Sequence, residues 1–152
     1  MLTNFFATNN SWIGTFLRAT LALVILPHGA QKLMGWLGGF GFKGTMGYFT
    51  GQIGMPWILG LIVILSESFG SLFLLAGLGT RAVAALYIAI MIGAIATVHA
   101  RNGFFMNWLG NQKGEGFEYA LLVIGIASVL VVQGGGRLAL DRSVAAVLGG
   151  AR

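Results

Sequence analysis

Four apolar stretches alternate with polar or glycine-rich segments along this chain. The clearest runs from Trp57 to Leu78, WILGLIVILSESFGSLFLLAGL, and its only charge, Glu67, falls near the middle. A helix needs about 20 residues to cross the hydrocarbon core at 1.5 Å rise per residue, and this stretch supplies them. A similar stretch precedes it, WIGTFLRATLALVILPHGAQKLMGW from Trp12 to Trp36. Two more follow, AVAALYIAIMIGAIATVH from Ala82 to His99 and EYALLVIGIASVLVV from Glu118 to Val132. The pattern predicts an all-α polytopic membrane protein, an antiparallel four-helix transmembrane bundle forming a single domain over 1–152. Its spans are expected at about 12–36, 57–78, 82–99 and 117–133, with a tail over 134–152 and a short surface helix after Asp141.

The links between spans carry their own signals. Gly77, Gly79 and Thr80 end the second span, Arg81 begins a tight turn, and spans two and three are therefore expected to be neighbours. The long link LGGFGFKGTMGYFTGQIGMP from Leu37 to Pro56 has two readings. The favoured one is a flexible surface loop anchored in the interface by Phe40, Phe42, Tyr48 and Phe49. The other is a segment capping a site between helices. Gly60, Glu67, Gly70 and Ser71 recur at helical spacing, a small-residue strip along which another helix can approach. Pro27 removes a backbone donor within the first span and loosens it there.

Composition narrows the class. Of 152 residues 57% are hydrophobic and 9% charged, a balance that several membrane spans require and a soluble domain does not. Nine Lys and Arg against four Asp and Glu give a formal charge of +5. Without a Lys/Arg run, that charge points to anionic lipid and loop orientation rather than nucleic acid. There is no cysteine, so disulfide exchange, thiolate nucleophiles and iron–sulfur ligation by this chain are excluded. MLTNFFATNNSW lacks a basic signal-peptide region, and Arg18 lies inside the first apolar run, so that run is expected to be a retained span. Four spans put both termini on one side. Arg81, Arg137, Arg142 and Arg152 stand there against Lys32, Lys43, Arg101 and Lys113 opposite. That balance leaves only the tail and the Arg81 turn to favour cytoplasmic termini in a bacterial inner membrane.

Chemistry concentrates in the ionisable residues of the spans. A carboxyl group at mid-membrane needs a partner, a proton or a ligand. On the first helix Arg18 and Lys32 lie about 40° apart, His28 falls about 80° from Arg18, and Leu23 and Leu26 occupy the opposite, lipid-side face. His28, His99 and Glu118 fall on one side of the membrane, with Lys32 and Arg101 near them. Glu67 lies deeper and Arg18 deeper still, about 10 Å along the normal from Glu67 by helix geometry. Read together, these form a ladder of groups running inward. Glu67, His99 and Glu118 are the candidate catalytic residues; Arg18, His28, Lys32 and Arg101 are candidate binding residues for a quinone, with Arg18 balancing Glu67. Each has a plainer alternative: a structural ion pair, interfacial histidines bonded to backbone, or an acid at a helix N-terminus. A haem held by His28 and His99 is the weaker cofactor reading, because nothing else marks such a pocket. No metal site is expected.

Three stretches resemble, in order, the DoxX family of small four-span bacterial membrane proteins. They are LRATLALVILPHGAQKL from Leu17, SESFGSLFLLAGLGTRAVAALYIAIMIGAIATVH from Ser66, and GFEYALLVIGIASVLVVQGGGRLALD from Gly116. The H-G-x-x-K-L element at His28, the E-x-x-G at Glu67 before a G-x-x-T-R turn, and the closing G-G-R-L-x-L-D carry the resemblance. Ala139 stands where a serine is usual. The matching polar positions are Arg18, His28, Lys32, Glu67, Arg81, His99 and Glu118. The resemblance implies a link to quinone-dependent oxidation, including thiosulfate:quinone oxidoreductase, and to membrane complexes that handle oxidative stress. The resulting expectation is a quinone-interacting subunit of an inner-membrane oxidoreductase. Membrane lipid and a redox partner protein or subunit would be its partners, in a homo- or hetero-oligomer. The alternatives are a non-catalytic structural or assembly subunit and, less favoured, a permease for protons or a small solute.

Overall fold

The structure, a computed structural model, describes residues 5–150, and among them every regular element is helical. Helix α1 spans Trp12–Met34; the Ser11 hydroxyl accepts from the Ile13 amide at its start, and Gly35 in the left-handed region (φ 74°) ends it. A short helix α2, Gly41–Gly47, follows in the long link. Helices α3, Trp57–Ala76, and α4, Thr80–Asn102, are joined by the turn at Gly77–Gly79. Helix α5 spans Glu118–Gln133 and α6 spans Asp141–Gly150.

Among the described residues, three helices, α1, α3 and α4, are long and apolar enough to cross a membrane; α5 is apolar but has only 16 residues. The outward faces carry Phe16, Leu23, Phe69, Phe73, Ile92 and Leu122, all large, apolar and exposed. So much apolar surface on a small fold belongs in lipid. The protein is a multi-pass helical membrane protein.

Helix α1 packs along the second half of α3, Ser66–Ala76, and also against α5, while α4 packs closely on α5. The shared core is Leu21, Ala22 and Ile25 from α1, Leu74 from α3, Ala84, Tyr87 and Met91 from α4, and Ala120, Val123, Ala127 and Leu130 from α5. The strip of small residues serves two different neighbours: Gly60 faces Met46 and Phe49 of the long link, whereas Gly70 faces Val83 and Tyr87 of α4.

One end of this core is closed by polar side chains bonded to backbone. Arg18, 4% exposed, donates to the carbonyls of Gly135 (2.8 Å), Leu74 (2.7 Å), Leu138 (3.0 Å) and Leu75. Its guanidinium thus satisfies the C-terminal carbonyls of α3, where a cation is favoured. Asp141, 2% exposed, accepts from the amides of Gly79 (2.6 Å) and Thr80 (3.0 Å), capping the start of α4. That cap is why α4 begins at Thr80, two residues before the expected start of the span at 82. The amides of Leu140 and Asp141 in turn donate to Ala76 (3.2 Å) and Gly77 (2.9 Å). Gly77, at φ 69°, lies so close to this strand of chain that a Cβ there would sit 2.5 Å from Ala139 Cα. Arg81 donates to the Ala7 and Val131 carbonyls, and the Arg137 guanidinium lies 5.3 Å over the Trp12 ring. The closing G-G-R-L-x-L-D segment is therefore a latch joining the ends of α1, α3 and α4.

The long link is folded rather than a surface loop. After α2 it makes a wide helical turn over Tyr48–Gln52, with Thr45 and Met46 buried. Of the four aromatics expected at the interface, Phe40 is 84% exposed, but Tyr48 and Phe49 turn inward over the helix ends. The capping reading of this segment describes its structure better than the loop reading.

Candidate functional site

The end of the core opposite the latch opens into a cavity of about 510 Å³. Ile25, Met91 and Ala120 belong both to the core and to the cavity wall, so the top of the packed core is the cavity floor. The walls are overwhelmingly apolar: Leu59, Ile62, Val63, Ile90 and Val98 from the helices, with Phe49, Ile53 and Met55 from the long link. Polar groups interrupt them at a few points, namely His28, Lys32, Tyr48, Glu67, Thr97, His99, Glu115 and Tyr119. A mostly apolar concavity with a few convergent polar groups is the usual form of a small-molecule site.

Glu67 is the centre of this group. Its carboxylate, in a residue 4% exposed, accepts from Lys32 Nζ at 2.5 Å. The backbone brings the two together through Gly29. A Cβ on Gly29 would lie 2.5 Å from the Glu67 carbonyl, so only glycine lets α1 approach α3 this closely. Ser68 Oγ adds hydrogen bonds to the carbonyls of Gly29 (3.1 Å) and Ile64 (2.8 Å). Lys32 then lies one turn beyond Gly29 on the same helix, within reach of the carboxylate. The H-G-x-x-K element is thus one device: its glycine sets the approach and its lysine meets the acid.

Glu67 also sits in an irregular piece of helix. Over Ser66–Gly70 α3 widens to i→i+5 hydrogen bonding, a local form common at functional sites. Fully buried Tyr87 on α4 secures that turn, its Oη 3.1 Å from the Ser66 carbonyl and 2.8 Å from Ser71 Oγ. Ser71 Oγ lies 2.6 Å from the Glu67 carbonyl. A further wide turn, Ile95–His99, lies in the last part of α4 and carries His99.

His99 Nδ1 lies 2.9 Å from the Glu115 carbonyl. A carbonyl only accepts, so Nδ1 holds the proton and Nε2 is free when the ring is neutral. His28 lies on the cavity wall with its ring centroid 5.7 Å from that of Tyr119. Tyr119 Oη is buried and has no hydrogen-bond partner among the described residues, although it lines the cavity. A buried hydroxyl without a partner is uncommon and marks a place where a ligand atom can bond.

The expected ladder therefore divides. Glu67, Lys32, His28 and His99 share one cavity. Arg18 does not meet Glu67: Gly29 is level with the acid, and Arg18 precedes it by eleven residues, about 16 Å along the helix axis. Carbonyls take the arginine and Lys32 takes the carboxylate. Glu118 is outside the cavity, accepting from Trp108 Nε1 at 3.1 Å. Arg101 stands outside it too, in a neighbouring polar pocket with Lys113, Asn102 and Glu115. Tyr119 is a cavity residue the sequence did not single out, and Tyr48, expected as an interfacial anchor, lines the cavity instead. Tyr119 follows Glu118 directly, and one residue of helix is about 100° of rotation, which is enough to exchange which of the two faces the cavity. No cluster of three or more His, Cys, Asp or Glu able to hold a metal occurs among the described residues.

An apolar, multi-pass helical assembly with a buried acid–lysine pair on a cavity wall defines the class: a small membrane protein built around a ligand-sized chamber. The family profile described as DoxX matches residues 14–100, which include the H-G-x-x-K element, Glu67 and His99. A Bacillus subtilis (strain 168) protein named "Putative oxidoreductase CatD" is 34% identical over 130 residues, covering 85% of each chain. The chain belongs to the DoxX family. No solved structure matches it.

Proposed function

We propose that this protein is a quinone-interacting subunit of an oxidoreductase system in the bacterial inner membrane. On this reading α5 also crosses the bilayer, completing an antiparallel four-helix bundle with cytoplasmic termini. The observation that carries the proposal is the apolar chamber of about 510 Å³ with the buried Lys32–Glu67 pair and the unpartnered Tyr119 hydroxyl on its wall. The name of the Bacillus relative supports the oxidoreductase part of this reading.

The residues fit such a group. Apolar walls suit a lipophilic ring and exclude water. Lys32 Nζ and Tyr119 Oη are donors for carbonyl oxygens, and Glu67 can hold or release a proton at its carboxylate. When bound, a quinone supplies two-electron, two-proton redox chemistry. Electrons would come from or go to a partner redox protein, since this cysteine-free chain offers no iron–sulfur ligands.

The test is to purify the protein in mild detergent, extract and identify co-purifying quinone, and titrate quinone-free protein with decylubiquinone. Wild-type protein is expected to bind and Glu67→Gln to bind about tenfold more weakly, a change of about 1.4 kcal/mol. A purely structural or assembly role predicts a different result: a lowered melting temperature for Glu67→Gln with no quinone bound by either form. That result would sink the proposal.

A further inference from the structure

The cavity has a polar neighbour. A second pocket of about 550 Å³ is lined by Arg101, Asn102, Lys113 and Gly114, and it shares Tyr48, Val98, His99 and Glu115 with the apolar cavity. Those shared residues form the partition between an apolar chamber and an exposed, charged pocket. In that partition the imidazole can bind a proton on one ring nitrogen while the other keeps its hydrogen bond. The Glu115 side chain is tied elsewhere, accepting from the Asn107 amide at 2.6 Å, while its carbonyl orients both His99 and Asn102.

We infer that His99 is the proton port of the cavity, exchanging protons between water in the polar pocket and whatever reacts beside Lys32 and Glu67. This rests on the quinone reading above and adds to it the side from which protons arrive. Three features support it. The Nδ1–H bond to a backbone carbonyl fixes the tautomer and leaves Nε2 as the exchanging atom. The wide turn Ile95–His99 rotates the last part of α4 relative to a regular helix, and this places the ring in the partition. The cations Arg101 and Lys113 line the polar side with His99 and Tyr48, while Glu115, its carboxylate held by the Asn107 amide, lies in the partition itself. On the cavity side, the same walls carry the Lys32–Glu67 pair, His28 and Tyr119. The step balances as two proton transfers: Nε2 takes a proton from hydronium in the polar pocket, whose O–H bond breaks to leave water, and the imidazolium then gives that proton to an acceptor oxygen in the cavity, forming its O–H bond and returning to the neutral ring.

The experiment uses the full chain in lipid nanodiscs with ¹⁵N-labelled histidine. The sequence has two histidines, so His99→Gln assigns the ring signals. Glutamine can still donate to the Glu115 carbonyl, which protects the fold. The His99 Nε2 signal is expected to move with bulk pH and to be broadened by a water-soluble gadolinium chelate. It is also expected to shift its titration midpoint when decylubiquinone is added. His28 is expected to answer decylubiquinone while being broadened less by the chelate. If decylubiquinone moves neither histidine, the quinone reading and this proposal fail together. If it moves His28 but leaves the His99 titration unchanged, or if His99 ignores bulk pH or the chelate, the port is wrong while quinone binding stands.

Discussion

Gly29 has no side chain to hold α1 away from α3, and this is what brings Lys32 to Glu67. Replacing it with alanine puts a methyl group 2.5 Å from the Glu67 backbone, so the helices must separate. Gly29→Ala is expected to cost about 1–3 kcal/mol, as overpacking does, and to weaken decylubiquinone binding by loosening the ion pair. Thermal unfolding in detergent and ligand titration measure the two effects. Lys32→Met tests the pair from the other side. It leaves a buried carboxylate without its cation, which by analogy with other buried pairs costs about 3–5 kcal/mol. The double variant Lys32→Met/Glu67→Leu is expected to regain most of that stability while losing ligand binding. Failure of the double variant to recover would mean that the pair does more for the fold than balance one charge.

At the scale of elements, polar residues divide into those that hold helix ends and those that face the chamber. Asp141 caps α4, and Asp141→Ala is expected to lower stability by about 1–2 kcal/mol without changing quinone affinity. Tyr87→Phe removes the hydroxyl that secures the wide turn at Ser66–Gly70, a loss of about 1–2 kcal/mol. Unlike the Asp141 variant, it is expected to alter affinity as well, because the turn carries Glu67. Equal affinity in wild type and Tyr87→Phe would show that the turn is held without it. The same division explains what sequence could and could not show. Apolar runs set by bilayer thickness placed every long helix, and the glycines at Gly77 and Gly79 marked the hairpin between α3 and α4. Glu67 stood out because a charge among apolar residues is visible at any register. Its partner was not visible: pairing depended on the level at which α1 and α3 touch, which a close approach at Gly29 decides and no periodicity records. Arg18 looked like a partner for the acid because backbone carbonyls, the groups it actually serves, leave no mark in a sequence.

At the scale of the whole molecule the two ends differ in kind. One is dense with side-chain-to-backbone bonds, and the other holds a chamber roofed by Tyr48, Phe49, Ile53 and Met55. On the proposed four-span arrangement these ends lie on opposite faces of the membrane. The cysteine-free chain allows a direct check with single substitutions. Lys113→Cys and Arg142→Cys are expected to react with a membrane-impermeant maleimide from opposite sides of intact cells or spheroplasts. Labelling from the same side would overturn the four-span arrangement and require α5 to return without crossing.

The latch also has a consequence for biogenesis. Residues 134–141 are synthesised after α1, α3, α4 and α5, yet they supply carbonyls to Arg18 and a carboxylate to the first amides of α4. Until they emerge, an arginine within α1 lacks two of its acceptors and α4 lacks its cap. Insertion of the helices and closure of the fold are therefore separate events, with the second waiting on Asp141. A chain truncated before Leu138 and released from the ribosome is expected to be inserted but sensitive to protease, and the full chain to be resistant.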